Sequence, residues 1–207
     1  MVLTRSLVWV KTAGAELAEV EIDAGRLTAS GTAIGADPLP YRLEFDLRTG
    51  DDYVTELLTV RTEGTGWRRF LELEREDDGS WFAETLMTGE PLTDADQPLP
   101  RIEVDETTLA EALDCDLGLS PMTNTMPVLR HGMHLAGRTA AGPVELLMAW
   151  VSVPDLSVRA MTQTYEHVRD QEDGTVVIRY SSGTFTEEIT FDSDGLVVDY
   201  PAIGRRP

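Results

Sequence analysis

Asp114 and Asp116 are the residues whose types and spacing most directly suggest chemistry. Side chains two positions apart point the same way on a strand, so the two carboxylates would lie close together. Mutual repulsion would then separate their pKa values, and the pair could divide acid and base roles or bind a divalent cation. Alternatively, one of them only caps the following loop by accepting backbone N–H bonds. Catalysis would need a third polar partner, for which Asn124 and Arg130 are the nearest candidates.

The other reactive side chains form weaker patterns. His131 and His134 face opposite sides if Val128–Leu135 is the strand that its residues predict, and no carboxylate accompanies them at the spacing of a zinc protease. Cys115 is the only cysteine and has no adjacent basic residue, so it is interpreted as a buried structural thiol. Ser120 lacks the G-x-S-x-G context of a nucleophile. We therefore predict no catalytic residue, no metal site and no cofactor.

The charge of the chain limits its partners. Its 207 residues include 17 basic and 37 acidic side chains, for a formal net charge of −20. Such a surface repels phosphate backbones and anionic head groups, which argues against nucleic acid and against docking on an anionic membrane. The N-terminus lacks the features of a signal peptide, and no apolar run approaches the ~18 residues of a membrane span. These features predict a cytoplasmic protein without stable membrane anchoring.

Alternation of apolar and polar residues dominates the sequence and predicts strands. In Tyr41–Arg48 the apolar side chains occupy every second position, and a register slip of one residue would invert the two faces. Weaker versions of this pattern predict further strands at Ser6–Val10, Ala18–Asp23, Arg26–Ile34, Tyr53–Thr62, Trp67–Glu74, Trp81–Leu86, Val144–Val153, Leu156–Val168, Thr175–Tyr180, Thr184–Phe191 and Leu196–Tyr200.

The connections between these strands predict an antiparallel sheet. Acidic residues before Gly79, Gly174 and Gly195 favour tight hairpin turns, whereas parallel strands need long crossovers. A helical pattern is found only around Thr107–Leu113, so the fold class is mainly β with at most one or two short helices. We predict a single domain over residues 1–207. The proline-rich stretch 90–100 could join two halves, about 1–90 and 101–207.

One segment resembles a known family. The sequence DLGLSPMTNTMPV, at Asp116–Val128, resembles the signature of the bacterial "putative glycolipid-binding" family, once a domain of unknown function. Stretches at Ala149–Leu156 and Gly195–Pro201 resemble its downstream motifs in the expected order, whereas Leu47-Arg48 stand where a Trp is expected. The resemblance implies a large antiparallel sheet curled into a spiral β-roll, similar in shape to bacterial lipoprotein and lipid carriers.

The resemblance also implies binding of a lipid, glycolipid or other amphipathic molecule in the concave face of the roll. Apolar and aromatic side chains would take the lipid part, and the hydroxyl-rich stretch 120–125 would hydrogen-bond a neutral or sugar head group. The ligand-binding residues carried over in this way are Asp116, Ser120, Thr123, Asn124, Thr125, Arg130, Trp150, Tyr165 and Tyr200.

Two other functions stay open from the sequence. One is a small-molecule enzyme that uses Asp114, Asp116 and Asn124, which would converge on a pocket with at least one raised carboxylate pKa. The other is an interaction module whose exposed strand edge pairs with a partner or with a second copy. The chain would be a monomer or a homodimer. The volume and lining of the concave face distinguish these functions.

Overall fold

The fold is an all-β roll. The structure is a computed structural model that describes residues 2–139 and 142–207, and within them fourteen strands form one sheet. The strands are β1 (Leu3–Lys11), β2 (Gly14–Asp23), β3 (Arg26–Gly35), β4 (Tyr41–Thr49), β5 (Thr55–Gly64), β6 (Trp67–Arg75), β7 (Trp81–Thr88), β8 (Asp114–Leu117), β9 (Val144–Val151), β10 (Val158–Asp170), β11 (Val176–Ser182), β12 (Phe185–Phe191), β13 (Val197–Tyr200) and β14 (Gly204–Arg205).

The sheet consists of two meanders joined side by side. Its order is β7-β6-β5-β4-β3-β2-β1-β14-β13-β12-β11-β10-β9-β8, and the two meanders meet where Val10 of β1 pairs with Arg205 of β14. The predicted antiparallel pairing is confirmed for these strands, with the exception of β8, which runs parallel to β9. A parallel pair needs a long crossover, and the chain between β8 and β9 supplies it.

Alternation decides which face of each strand lies inside. In β4 the side chains of Tyr41, Leu43, Phe45 and Leu47 are buried, while those between them are exposed, as the sequence predicts. Phe45 pairs across the sheet with Gly31, where a Cβ atom would lie 2.3 Å from the aromatic ring. The glycine therefore provides the space that the ring occupies across the strand pair.

The interior of the curl is filled by the chain itself. After β8, a 3₁₀ turn at Met122–Asn124 leads into a short helix, α1 (Thr125–Arg130), and the side chains of this segment are mostly buried. The Thr55 hydroxyl of β5 accepts the Cys115 N–H at 3.0 Å and lies 3.6 Å from the sulfur of Met126. The segment from β8 to α1 therefore packs on the concave face of the first meander.

Two local predictions from the sequence differ from the structure. The predicted strand Val128–Leu135 is wrong, because its first residues belong to α1 and the following turns are closed by bonds such as His131 N to Pro127 O, 3.1 Å. The predicted helix around Thr107–Leu113 is reduced to a 3₁₀ turn at Glu106–Thr108. In both places tertiary packing overrides a short local pattern.

The proline-rich stretch 90–100 is attached to the body of the protein. Asp94 donates its backbone N–H to Pro38 O at 3.0 Å, and Leu99 is buried. Leu92 and Pro98 form an isolated antiparallel bridge across this stretch. Since the strands on either side of it belong to one sheet, we propose that the chain is one domain.

Candidate functional site

An apolar cleft of about 340 Å³ opens beside the turn that follows β8. The turn at 117–120 forms one side, the ends of β9, β10 and β11 form the floor, and the turn after β13 forms the other side. The cleft is lined by Asp116, Leu117, Gly118, Leu119, Ser120, Asn124, Trp150, Val153, Met161, Tyr180, Ser182, Phe185, Tyr200 and Ile203. Its volume is near the lower end of the roughly 300–1,000 Å³ typical of small-molecule sites.

Five of the nine predicted site residues line this cleft: Asp116, Ser120, Asn124, Trp150 and Tyr200. The exposed fractions of the lining side chains distinguish the inner end of the cleft from its mouth. Asp116 is 7% exposed, whereas Leu119 and Phe185 are 44% and 40% exposed. Asp116, Ser120 and Asn124 therefore lie at the buried end, beside the buried Leu117, Tyr180 and Tyr200, and Leu119 and Phe185 lie at the mouth.

The Asp116 carboxylate is buried without a cation. It accepts hydrogen bonds from Thr123 Oγ1 at 2.9 Å and from Gln163 Nε2 at 2.6 Å. Within residues 2–139 and 142–207, no basic side chain forms an ion pair with it. Burial raises the pKa of the Asp116 carboxyl, the bonds from Gln163 and Thr123 oppose that rise, and the Asp114 charge adds to it. A carboxyl in this state can donate or accept a hydrogen bond at the inner end of the cleft.

Tyr165 lies behind this network and supports it. Its hydroxyl is 3.0 Å from Asn124 Oδ1 and 3.1 Å from Gln163 Oε1, so it can donate to either amide oxygen. Burial is the main cause that raises the pKa of Tyr165 well above its ordinary value, so the phenol stays protonated and available as a donor. Tyr165 thereby orients the two amides, of which only Asn124 lines the cleft.

Thr123, Thr125, Tyr165 and Arg130 do not line the cleft. Thr123 bonds Asp116 and accepts the Leu117 N–H at 3.1 Å, while Thr125 is buried beside it in α1. Ligand contact at these four residues stays a prediction. Their positions favour a supporting role for the cleft wall.

Asp114 and Arg130 form a buried ion pair at the other end of β8. Arg130 Nη1 donates to Asp114 Oδ2 at 2.7 Å, and Nη2 donates to Oδ1, so the pair is bidentate. The same guanidinium donates to the backbone carbonyls of Asp52, at 2.8 Å, and Tyr53, at 3.0 Å. Burial raises the pKa of the Asp114 carboxyl, and Arg130 opposes that rise. The two aspartates therefore have separate partners, and side chains rather than a backbone cap hold both.

A third buried carboxylate, Glu16 of β2, fixes the rim of the cleft. Lys11 Nζ donates to Glu16 Oε2 at 2.6 Å, and the Ser120 hydroxyl donates to Glu16 Oε1 at 2.6 Å. Lys11 also donates to the Leu119 carbonyl at 2.7 Å. We call Lys11, Glu16 and Ser120 the rim clip, because they hold the turn 117–120 against β1 and β2.

Glu16 is not among the site residues predicted from the sequence, although a signal for it is present. The predicted strand began at Ala18, but Glu16 lies in phase with Ala18 and Val20, which are both buried. Extending the alternation by one step would have placed this carboxylate inside the roll. Gln163 gives no comparable signal, because its partner Asp116 is 47 residues away in the chain.

The Asp116 network predicts a pH dependence of stability. Because burial raises the pKa of Asp116, the folded protein keeps the carboxyl proton to a higher pH than the unfolded chain, in which the pKa of Asp is ~3.9. The free energy of unfolding therefore falls as the pH rises from the unfolded-state pKa through the folded-state pKa. Above the folded-state pKa, the ionised carboxylate costs stability. We expect Asp116→Asn to melt at a higher temperature than the native protein at pH 7. This difference shrinks as the pH approaches 4.

The amide can replace the carboxyl without an unpaired group. If the Gln163 amide flips, its oxygen accepts from the new amide, its nitrogen donates to Tyr165, and Tyr165 donates to Asn124. Thermal melts between pH 4 and 8 measure the effect. Asp46→Asn, at an exposed position on the outer face of β4, is the matched control and should change stability by less than about 0.5 kcal/mol. A lower melting temperature for Asp116→Asn at pH 7 would contradict the prediction.

The fold and the site define a class of protein: an all-β roll whose concave face is packed by its own chain and carries an apolar cleft with a buried carboxyl. The chain belongs to the family described as "putative glycolipid-binding", whose sequence profile matches residues 6–206. This confirms the resemblance found at Asp116–Val128. No curated protein matches the chain.

A solved structure is similar over nearly the whole chain. It is the crystal structure of a DUF1089 family protein from Pseudomonas aeruginosa, with 23% sequence identity and a TM-score of 0.64. The similarity covers 96% of this chain and 95% of that chain. At this identity the likeness concerns the fold alone. In the described part of the chain, no helix is long and apolar enough to cross a membrane.

Proposed function

We propose that this protein binds an uncharged, hydroxyl-bearing amphipathic molecule in the cleft beside β8, and that it acts as a binding protein rather than an enzyme. The observation that carries this proposal is a buried carboxyl, with no basic partner among the described residues, at the inner end of an otherwise mostly apolar cleft. Apolar clefts with a few convergent polar groups are typical small-molecule sites. The description of the family supports the same class of ligand.

The head group of the ligand would lie at the inner end. Asp116 and Asn124 present oxygen and amide groups there, and Ser120 and Ser182 add hydroxyls further along the lining. An oxygen of Asp116 that accepts from a ligand hydroxyl would gain the hydrogen-bond partner that a buried carboxylate favours. A neutral sugar or polyol fits this group of side chains, whereas a phosphate would be repelled by Asp116 and by the net charge of −20.

The apolar part of the ligand would lie toward the mouth. Met161, Phe185 and Val153 offer aliphatic and aromatic surface there, and Trp150 presents an indole whose ring is stacked with Arg159 at 4.5 Å. Gly118 lets the turn 117–120 lie close to the Trp150 indole, since a Cβ atom at residue 118 would lie 3.3 Å from the indole and 2.9 Å from Val151 O. A hydrocarbon chain buried on such a surface would contribute about 0.8 kcal/mol per methylene.

Binding of n-octyl glucoside tests the proposal. Ser182→Trp places an indole in the cleft, and we expect it to weaken binding at least tenfold. Ser181→Trp is the matched control, because successive residues of β11 face opposite sides and residue 181 points away from the cleft. Isothermal titration below the micelle-forming concentration gives the dissociation constants. Native protein that does not bind the glucoside, or equal affinities for the two variants, would contradict the proposal.

One observation favours catalysis as a second candidate function. Asp116 and Asn124 both line the cleft, and burial raises the pKa of Asp116, as a general acid requires. The predicted pair is divided, however, since Asp114 is held by Arg130. Incubation with p-nitrophenyl glucoside separates the two functions. Release of p-nitrophenol that Asp116→Asn abolishes would support an enzyme, and binding without turnover would support the binding protein.

Three further properties remain proposals. We propose that the protein is cytoplasmic, because its single cysteine fits a reducing compartment. We propose that it needs no cofactor. Whether it is a monomer or a homodimer stays a prediction, which sedimentation of the native chain decides.

A further inference from the structure

A second cleft, of about 250 Å³, lies beside the first. The two clefts share two lining residues, Leu119 and Ile203. The other lining residues of the second cleft come from the ends of β1, β3 and β4 and the turns beside them, and they are mostly apolar, with Lys11 and Asp37 as the charged members. They include Ala13, Ile34, Ala36, Tyr41 and Ala202. The two clefts are therefore neighbours that meet at these shared residues.

Two tight turns form the boundary between the clefts. The turn 117–120 contributes Leu119, and the turn after β13 contributes Ile203, whose N–H donates to Tyr200 O at 3.0 Å. Because the Leu119 side chain is 44% exposed, the boundary is a low ridge and not a closed wall. We call Leu119 and Ile203 the ridge. A flexible chain can cross such a ridge without opening the fold.

The rim clip keeps the ridge in place. Leu119 has a positive φ of 62°, a conformation that a bulky side chain rarely adopts. Its carbonyl is held by Lys11, and the hydroxyl of the next residue, Ser120, is held by Glu16. Such a conformation persists only where the surroundings fix it on several sides. The ridge is thus a built feature of the folded chain.

We propose that the two clefts form one site for a single-chain amphiphile whose alkyl tail crosses the ridge into the second cleft. This inference rests on the proposed function of the first cleft. Asp116 and Asn124 line only the first cleft, which therefore takes the head group and the first methylenes. The second cleft takes the end of a tail that the first is too small to hold. The ligand class is then a neutral glycolipid-like molecule with a single long alkyl chain.

The dependence of affinity on tail length tests this inference. The probes are n-alkyl glucosides from hexyl to dodecyl, each below its micelle-forming concentration. Each buried methylene should improve the affinity about fourfold, and the gain should continue beyond octyl because the tail enters the second cleft. Ala36→Trp, which fills the second cleft, should leave hexyl glucoside binding unchanged and weaken dodecyl glucoside binding at least tenfold.

The controls separate this inference from the proposal on which it rests. Thr32→Trp places the same side chain at an exposed position of β3 outside both clefts and should change neither affinity. Ala13→Trp fills the second cleft from the other side and replaces the first variant if that one does not fold. An affinity that stops rising at octyl, or equal losses for hexyl and dodecyl glucoside, overturns the inference alone. Absence of binding for every glucoside overturns the proposed function as well.

Discussion

Replacing Arg130 by methionine is expected to lower the free energy of unfolding by about 3–5 kcal/mol at neutral pH, the usual cost of leaving one charge of a buried ion pair without its partner. The side chains of Arg130 and Asp114 are only 11% and 1% exposed. The substitution also removes the hydrogen bonds to the carbonyls of Asp52 and Tyr53. Urea unfolding followed by circular dichroism measures the loss.

The dependence of this loss on pH identifies its cause. Without Arg130, burial is opposed only by the charges of His131 and Arg75, so the pKa of Asp114 rises further and the carboxyl keeps its proton to a higher pH than in the native protein. The loss should therefore shrink as the pH falls, and adding Asp114→Asn should recover a large part of it at neutral pH. Arg48→Met removes an exposed pair with Glu56 and should cost about 0–1 kcal/mol. Equal losses of unfolding free energy for Arg130→Met and Arg48→Met would contradict the conclusion that the loss comes from a buried ion pair.

Truncation of Met126 to alanine is expected to cost about 2–5 kcal/mol, because a fully buried side chain leaves a cavity that the surrounding sheet cannot close. Met126 lies in α1, between the helix and the concave face, with its sulfur 3.6 Å from the Thr55 hydroxyl. The loss measures how much stability the folded-in segment contributes to the roll. Chemical denaturation of the variant and the native chain gives the difference.

The control for this variant is Leu86→Ala, because Leu86 is exposed on the edge strand β7 and should contribute less than about 0.5 kcal/mol. The same unfolding curves test the proposal of one domain. Tryptophan fluorescence and far-ultraviolet circular dichroism should follow a single coincident transition if the two meanders unfold together. Two separated transitions would show that the meanders are independent, and a change below 1 kcal/mol for Met126→Ala would contradict a tightly packed interior.

The strands could be predicted from the sequence because their faces differ. The predicted strand Tyr41–Arg48 and the observed β4, Tyr41–Thr49, differ by one residue, since alternation between a buried and a wet face is a local property. The turn before Gly195 is predicted by its acidic residues, which are also a local signal. In the structure, Asp192 accepts the N–H groups of Asp194 and Leu196. Where the chain packs inside the curled sheet, neither face is exposed to solvent, so the alternation of apolar and polar residues disappears.

The short helix α1 shows this limit. Thr125 and Val128 are β-branched and Pro127 cannot donate a backbone hydrogen bond, so the local sequence favours an extended chain. Burial against the concave face instead stabilises a helix whose second turn ends at Arg130. The helix therefore depends on contacts with the curled sheet. A segment of a few residues does not include these contacts, so the local sequence cannot predict the helix.

The sequence by itself determined the alternating strands, and its family signature pointed to the segment that forms the cleft. It did not predict β8, the strand that carries Asp114 and Asp116. Only the tertiary structure decided what each carboxyl does. Arg130 and Gln163 are 16 and 47 residues away from their respective partners, and the curl of the sheet brings them into contact. The partner of a buried carboxyl decides whether its charge is neutralised or the group stays free to bind a ligand. Tertiary packing brings that partner into contact, and the spacing of residues in the sequence does not predict it. Asp114 thus became a structural anion, and Asp116 the polar end of an apolar cleft.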